Sequence, residues 1–482
     1  MNHKVRTRMP PSPTGVAHMG TARTALFNYL FARKEKGAFV LRIEDTDKER
    51  SKKEYEDDIV ETLRWLGMEW DEGPDKGGPY APYRQSERTE LYKKYLAKLL
   101  DNGQAYWCFC TTEELEAQRS HQTSLGEAPR YKGVCRSLTK EDQEKRLEAG
   151  DRGVIRFIVE PKTLAFQDLI RGEITFDTGL LGDIVIAKDL ETPLYNFTVV
   201  VDDFEMQMTH VIRGEDHIAN TQKQILLQEA LELPGLQYAH LPLLLGQDRT
   251  KLSKRHGDNS VRTYREAGYL PEAIVNFLAL LGWNPGDERE IFSMEELIQE
   301  FSLDRIQKGG AIFNPQRLDW INGIYIRNTP LDELAKLCQP YLPQSNTVDF
   351  ETLKKIVALY HERLKHLSEI TELTDFFFGD KLEYDKELLR WKDATDSQTK
   401  EMLERLEGLI VGIQEPEWGR EKLEKVIMPE AEKEKNRGYM LWPFRFALTG
   451  KKASAGPFEI AEVLGKQKTL QRIQDAKAKL LP

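Results

Sequence analysis

Apolar positions recur along this chain in two rhythms. Over residues 4–9, and again over "AFVLRI" at 38–43, they form short near-continuous runs, the mark of strands covered on both faces. Between them Ala22, Leu26, Tyr29 and Leu30 repeat at helical spacing, and the pattern stops near Gly37, so the opening predicts a βαβ unit. The helical run "SKKEYEDDIVETLRWLGMEW" follows, then "DEGPDKGGPYAPYRQSER", too rich in Gly and Pro for regular structure, then a helix over roughly 87–102. From 103 to 192 the rhythm shortens to strands and turns, with "GVIRFIV", "LAFQDLIRGEITF" and "DIVIAKDL" as the β-like stretches. The α/β pattern resumes in "PLYNFTVVVDDFEMQMTHVIRGEDH" and a helix through "NTQKQILLQEAL". A domain inserted between two halves of one parallel sheet accounts for this order most economically. From Glu266 onward almost every segment is amphipathic and helical, which predicts an all-α C-terminal half.

Composition narrows the class. At 482 residues the chain is too long for one core, and about 100–200 residues per domain predicts three or four units. Hydrophobic residues make up 40% and charged residues 31%, and no apolar run approaches the ~20 residues that span a bilayer. "AIVNFLALLGW" at 273–283 reads as a buried helix, and "MNHKVRTRMPPSP" has no apolar stretch to mark export, so no membrane and a cytoplasmic setting are expected. Four cysteines make no disulfide framework; Cys108, Cys110 and Cys135 cluster, pointing to a metal site or to chance. The net charge of −10 argues against nucleic acid until its distribution is read. From Ala431 to the end 11 Lys and Arg face 5 Asp and Glu, a surplus of six cations that leaves −16 on the remainder. That tail is either a solvated helix surface or a phosphate-facing end.

Two stretches carry candidate chemistry. After the first strand, Pro10, Pro11 and Pro13 stiffen the loop, Gly15 supplies a turn, and His18 and Gly20 fall in the first turn of a helix. Free backbone N–H groups and the positive dipole end favour an anion there, and Gly20 lets a flat ring or phosphate come close. His18 can hydrogen-bond phosphate oxygens, or it can simply cap the helix. In "GQDRTKLSKRHGDNS" at 246–260, Lys251, Ser253, Lys254 and Arg255 sit in a glycine-flanked loop suited to a polyphosphate, or to a solvated turn.

Taken together, "PSPTGVAHMGTARTALFNYLFARK", "RIEDTDKER", "YNFTVVVDD", "HVIRGEDHIANT" and "KLSKRHG" closely resemble the class I aminoacyl-tRNA synthetases, and within them the bacterial-type glutamyl-tRNA synthetases. His18-Met19-Gly20-Thr21 stands at the family's HIGH signature and Lys251-Leu252-Ser253-Lys254-Arg255 at its KMSKS signature, with Thr21 and Leu252 as the departures. The resemblance spans essentially the whole chain. It implies a split Rossmann-like parallel-sheet catalytic domain with an α+β insert, followed by an all-α anticodon-binding region. The halves of the catalytic domain would be 1–107 and 193–250, the acceptor-end-binding insert 108–192, and the KLSKR loop with a stem-contact helical domain 251–330. Two anticodon-binding helical domains would follow at 331–387 and 388–482.

The implied activity is that of a glutamate ligase: ATP, as its Mg²⁺ complex, and L-glutamate form glutamyl-adenylate, and the glutamyl group passes to the terminal 2′-OH of tRNA(Glu), with tRNA(Gln) a second acceptor to test. In this group, activation generally needs bound tRNA. His18 and Lys254 would be catalytic, with His18, Gly20, Lys251, Ser253 and Lys254 binding ATP. Arg8 and Arg213 match the arginines near the substrate carboxylate, Ser12 and Glu44 the groups at the α-amino end, and Tyr195 closes the pocket. Cys108, Cys110, Tyr131 and Cys135 match a CxC…YxxxC arrangement that holds structural Zn²⁺ in some relatives; Ser137 stands where others have a His ligand. In the tail, Trp442, Phe444 and Arg445 suit stacking and pairing with unstacked anticodon bases, or Trp442 and Phe444 are simply core residues; Arg445 stands foremost by resemblance. A monomer is the family expectation.

Three other readings compete. A glutaminyl enzyme predicts a β-rich C-terminal half, and the short paralogue that modifies a tRNA base predicts no anticodon region. A catalytically silent tRNA-binding scaffold predicts binding without chemistry.

Overall fold

The computed structural model describes residues 4–253, 255, 257–342 and 345–480. They form two compact units, one comprising residues up to 265 with 271–318, the other 266–270 with 319 onward.

In the first unit β1 (Arg6–Met9) and β2 (Ala38–Leu41) pair in parallel, Arg6 opposite Ala38, and α1 (Met19–Lys34) connects them. Both strands are shorter than the apolar pattern predicts: β1 begins only at Arg6, and beyond Leu41 the pairing of β2 is reduced to an isolated bridge between Ile43 and Arg84. Helices α2 (Lys53–Trp65) and α3 (Thr89–Asp101) follow. A three-stranded antiparallel sheet comes next, ordered β3-β4-β7, from β3 (Ala105–Cys108), β4 (Val154–Phe157) and β7 (Ile184–Ala187). Between β4 and β7 the chain makes a hairpin of β5 (Thr163–Asp168) and β6 (Gly172–Asp177).

Between β3 and β4 stand two helices where the sequence pattern predicts only strands and turns, α4 (Thr112–Ser124) and α5 (Lys140–Glu148). Each buries a single residue, Gln122 or Gln143, so neither has an apolar stripe to betray it. Their signal is at the start: Thr111 with Glu114 and Thr139 with Asp142 close capping boxes that satisfy the first free N–H groups.

The parallel architecture returns with α6 (Tyr195–Glu205), β8 (His210–Gly214), α7 (Ile218–Leu231) and β9 (Gln237–Leu241), β8 and β9 running parallel. β1 lies against the start of β8, where the Thr209 N–H donates to the Arg6 carbonyl at 3.1 Å. Asn28 on α1 donates to the Ile212 carbonyl at 2.9 Å, so helix and strand are locked across the two halves. Asp168, at the end of β5, pairs with Tyr238 and attaches the hairpin to β9. The apolar helix Pro271–Leu280 is buried as its composition predicts; its Asn276 donates to the Glu290 carbonyl and accepts from the Phe292 N–H, so burial leaves no amide unpaired.

The second unit is helical. Its eight helices of eight residues or more from Leu331 on carry the predicted amphipathic pattern, and among the described residues it contains no strand.

Candidate functional site

One cleft of about 840 Å³ opens in the first unit at the carboxyl ends of β1 and β8. Ligands in open parallel sheets bind at such ends. Arg8, Ser12, Glu44, Tyr195 and Arg213 line it together with His18, Gly20, Lys251 and Ser253. Lys254, the other catalytic residue expected from the sequence, lies outside the described residues.

At one end, His18 is the N-cap residue of α1, and its Nδ1 accepts the Thr21 N–H at 3.2 Å. The Thr21 hydroxyl stands 3.1 Å from Nε2, so the residue that replaces the signature's last His holds the imidazole. A Cβ on Gly20 would stand 3.1 Å from Cε1 and Nδ1 of that ring and press on it. The first turn of α1 has no acidic side chain, leaving the dipole end free for an anion. Crowding by the cleft walls, then the Lys251 ammonium, lower the His18 pKa, although part of the ring reaches solvent. His18 is therefore neutral at pH 7.

The KLSKR segment is pinned on both flanks. Leu252 N–H donates to the Leu244 carbonyl at 2.8 Å, Met19 N–H to the Asn259 carbonyl at 3.0 Å, and Val261 N–H to the Ala17 carbonyl at 2.9 Å. Lys251 Nζ donates to Asp216 Oδ2 at 2.8 Å, and the Ser253 carbonyl accepts from Asn259 at 3.0 Å. Burial raises the Asp216 pKa, but the Lys251 and His217 contacts outweigh it and hold the carboxyl below its usual range.

At the other end lies a buried charge cluster. Arg8 Nε donates to Asp203 Oδ1 at 3.2 Å, Arg42 donates to the same oxygen at 2.7 Å, and Arg42 Nη2 donates to Glu44 Oε1 at 3.0 Å. Asp203 and Glu44 respond in opposite directions. Burial would raise both, but Arg8 and Arg42 hold Asp203 low, whereas at Glu44 burial prevails over the same two cations and its pKa goes up. Arg8 Nη1 and Arg213 Nη1 are buried with no hydrogen-bond partner within the protein. Tyr195, the first residue of α6, sets its hydroxyl 3.1 Å from His217 Nδ1. Burial, then Arg213, lowers the His217 pKa to about 4, so this imidazole is neutral as well. Ser12 is exposed at the rim.

Asp203, Arg42, Asp216 and His217 shape the cleft but were not singled out in the sequence, and Thr21 was named there only as a departure from the signature. Thr21 lay inside the quoted signature; the doubled acid in "VVVDD" was the available signal for Asp203.

The cysteine cluster lies apart from the cleft. The three sulfurs are within 4.8 Å of one another, with Cys110 and Cys135 3.6 Å apart. The Tyr131 hydroxyl stands 3.3 Å from Cys108 Sγ and 3.4 Å from Cys110 Sγ. Zinc–sulfur bonds of about 2.3 Å and a zinc–oxygen bond of about 2.0 Å set tetrahedral edges of roughly 3.5–3.8 Å, so this donor set fits one ion. The Arg156 guanidinium lies over the Tyr131 ring at 3.9 Å.

In the second unit, Arg445 lies over the Trp442 ring at 4.8 Å and donates to the Lys452 carbonyl at 2.9 Å. Phe444 is fully buried, so its expected role in base stacking is excluded; it packs against Phe458 in the core. The Trp442 indole N–H donates to the Leu388 carbonyl and its ring meets Trp391.

Residues 4–320 match the catalytic domain described as tRNA synthetases class I (E and Q), and 333–477 match an anticodon binding domain. The chain belongs to this class of synthetases. Within it, the chain is a member of the glutamate–tRNA ligase family. It is 48% identical to glutamate–tRNA ligase 1 of Caldicellulosiruptor saccharolyticus, over 98% of each chain. It is 42% identical to glutamate–tRNA ligase of Bacillus subtilis, over 98% of this chain and 100% of that one. A crystal structure of a glutamate tRNA ligase from Elizabethkingia meningosepticum in complex with its amino acid superposes with a TM-score of 0.90, at 36% identity, covering 99% of this chain and 100% of the other.

Proposed function

We propose that the chain activates L-glutamate with ATP and transfers the glutamyl group to tRNA(Glu). The carrying observation is the pair of buried guanidinium nitrogens without a protein partner, Arg8 Nη1 and Arg213 Nη1, in the cleft that also holds the buried carboxylate of Glu44. Such donors cost free energy unless something accepts from them, and the side-chain carboxylate of glutamate is an acceptor of the right charge. Glu44 and Ser12 receive the α-ammonium, and Tyr195 closes the pocket over it.

The α-carboxylate oxygen then attacks the α-phosphorus of ATP; an O–P bond forms, the bond to the bridging oxygen breaks, and pyrophosphate leaves. No protein nucleophile is needed, so catalysis is positioning and charge stabilisation. The α1 N-terminus, neutral His18, Lys251, Ser253 and Lys254 hold the phosphates, and Mg²⁺ arriving with ATP shares their charge. Gly20 keeps the approach open. In the second step the terminal 2′-OH of the tRNA attacks the acyl carbonyl and AMP departs.

The supporting parts follow the same reading. Cys108, Cys110, Tyr131 and Cys135 would hold a structural zinc that ties the segment between β3 and β4 together. Arg445, backed by Trp442, meets the anticodon. Residues 1–107 with 193–250 serve as the catalytic domain, 108–192 as the acceptor-end insert, 251–330 as the loop and stem-contact domain, and 331–387 and 388–482 as anticodon domains. The enzyme works as a cytoplasmic monomer; among the described residues no helix is long and apolar enough to cross a membrane. The lack of strands among the described residues of the second unit counts against a glutaminyl enzyme.

The test is pyrophosphate exchange with glutamate, ATP and tRNA, comparing wild type with Lys254→Ala and His18→Ala. Exchange by the wild type and its loss in both variants is expected. Bound tRNA with no exchange by the wild type would make the chain a silent scaffold. Charging tRNA(Glu) and tRNA(Gln) side by side defines the acceptor range.

A further inference from the structure

Arg213 is held from behind by side chains that do not line the cleft. Its Nε donates to His240 Nε2 at 3.3 Å and its Nη2 to the Thr221 hydroxyl at 2.7 Å, which leaves Nη1 as the one nitrogen without a protein partner. His240, on β9, is fully buried, and its Nδ1 stands 2.6 Å from Asp168 Oδ2 at the end of β5.

The proton positions in this chain follow from its acceptors. Asp168 already accepts the backbone N–H groups of Ile170 at 2.9 Å, Arg171 at 2.8 Å and His240 at 3.1 Å. Burial raises its pKa, but His240 and those N–H groups outweigh it and hold the carboxyl below the usual range, so it is an anion and can only accept. The His240 proton therefore sits on Nδ1, and Nε2 presents a lone pair toward Arg213 Nε at 3.3 Å and the Thr221 hydroxyl at 3.0 Å, the same hydroxyl that accepts from Arg213 Nη2. Burial lowers the pKa of His240, with Asp168 opposing and Arg213 assisting, so the ring is neutral and no second cation faces the guanidinium. Tyr238 stacks on the His240 ring, 6.1 Å between centroids at an interplanar angle of 6°, and fixes its plane.

We propose that His240, its tautomer set by Asp168, is a positioning residue that aims Arg213 Nη1 at the glutamate side chain and so sets the preference for glutamate over glutamine. A guanidinium locked with a donor forward matches a carboxylate oxygen and opposes the NH₂ of a carboxamide; a guanidinium free to swing accommodates both. The inference rests on the reading of the cleft given above.

Two substitutions separate the roles of the ring nitrogens. His240→Asn keeps a donor near Nδ1 for Asp168 but withdraws the acceptor from Arg213; His240→Gln places an amide oxygen near Nε2. In tRNA-dependent pyrophosphate exchange, His240→Asn should raise the glutamate KM roughly tenfold and lower the glutamate-to-glutamine ratio of kcat/KM by a similar factor, with the ATP KM changing less than about twofold. His240→Gln should recover most of both losses. Asp168→Asn, nearly the same shape, should move both quantities in the direction of His240→Asn and is the variant to read if that one fails to fold. An active wild type with a folded His240→Asn or Asp168→Asn of unchanged glutamate KM and selectivity overturns the positioning role. So do glutamate, ATP and tRNA constants that all worsen together in step with Tm. A wild type with no glutamate-dependent exchange overturns the reading of the cleft instead, and the positioning role with it.

Discussion

Asp203 holds two buried guanidinium groups with one carboxylate: its Oδ1 accepts from Arg8 Nε at 3.2 Å and from Arg42 Nη1 at 2.7 Å, and its Oδ2 accepts from Arg8 Nη2 at 3.4 Å. The contact joins α6 to β1 and to the residue just after β2, so the carboxylate both neutralises the cluster and fixes which Arg8 nitrogen faces the cleft. Asp203→Ala leaves two buried cations undercompensated and should cost about 3–5 kcal/mol in urea unfolding. Asp203→Asn keeps the shape and should cost less, while still raising the glutamate KM. An unfolding midpoint for Asp203→Ala equal to wild type would show that the pairing contributes nothing to stability.

Two carboxyl groups of that cluster, Asp203 and Glu44, predict opposite pH responses. Asp203 has a folded pKa below its unfolded value, so its stabilisation is present above the unfolded value of about 3.9 and is lost as pH falls through the folded value. Glu44 has a folded pKa above its unfolded value of about 4.3, so it binds its proton more tightly when folded and adds stability as pH falls through that raised value. Once protonated it no longer attracts an ammonium. Glu44→Gln should therefore leave wild-type or better stability at pH 7 while raising the glutamate KM, and it should flatten the acid side of the KM profile. A variant clearly less stable than wild type at pH 7 contradicts this assignment.

Gly20→Ala separates stability from function. In a helix, alanine is favoured over glycine by up to about 1 kcal/mol, so Tm should hold or rise. The added Cβ would press on the His18 ring at 3.1 Å and move it from its bond with Thr21, so exchange activity should fall, on the order of tenfold or more. Wild-type activity in a folded Gly20→Ala would remove the reason given for glycine here.

What was legible in the sequence was what is local. His18, Gly20 and Lys251 sit at a helix terminus and in one loop, and Arg8 and Arg213 each stand one residue before the end of a strand whose apolar run marks it. Asp203 lies 195 residues from the arginine it serves, and nothing short of the folded sheet brings them together. Helices α4 and α5 escaped because the helical signal sought was an apolar stripe, and these bury almost nothing. Trp442 and Phe444 are two positions apart on a helix, so they face different sides; Phe444 entered the core although its neighbourhood reads as a basic, base-stacking surface.

Metal removal probes the cysteine cluster without touching the cleft. One zinc per chain is expected after purification, and chelation should lower Tm, because three thiols and a phenol packed this closely lose the ion that unites them. Cys110→Ser should bind less zinc with the ATP and glutamate KM values unchanged. A zinc-to-chain ratio near zero, together with a Tm insensitive to chelator, would reduce the cluster to packed thiols.

Arg445 is the place to test recognition at the far end of the chain. Its pKa is lowered first by burial and then by the neighbouring Arg363, so the side chain is a cation held in a partly desolvated, positive setting. Among the described residues its side chain meets the Trp442 face and the Lys452 carbonyl and forms no ion pair with a carboxylate. A cation in that setting gains from a phosphate or an acceptor-rich base edge, which makes binding, and not folding, the quantity it should control. Arg445→Ala should raise the tRNA KM roughly tenfold with Tm within a few degrees of wild type, and exchange at saturating tRNA should be preserved. Arg445→Lys retains charge but loses the planar stack on Trp442, so it should recover only part of the affinity. Equal tRNA KM values for wild type and Arg445→Ala would remove Arg445 from the tRNA surface and leave its cation–π contact as a structural feature of this helical unit.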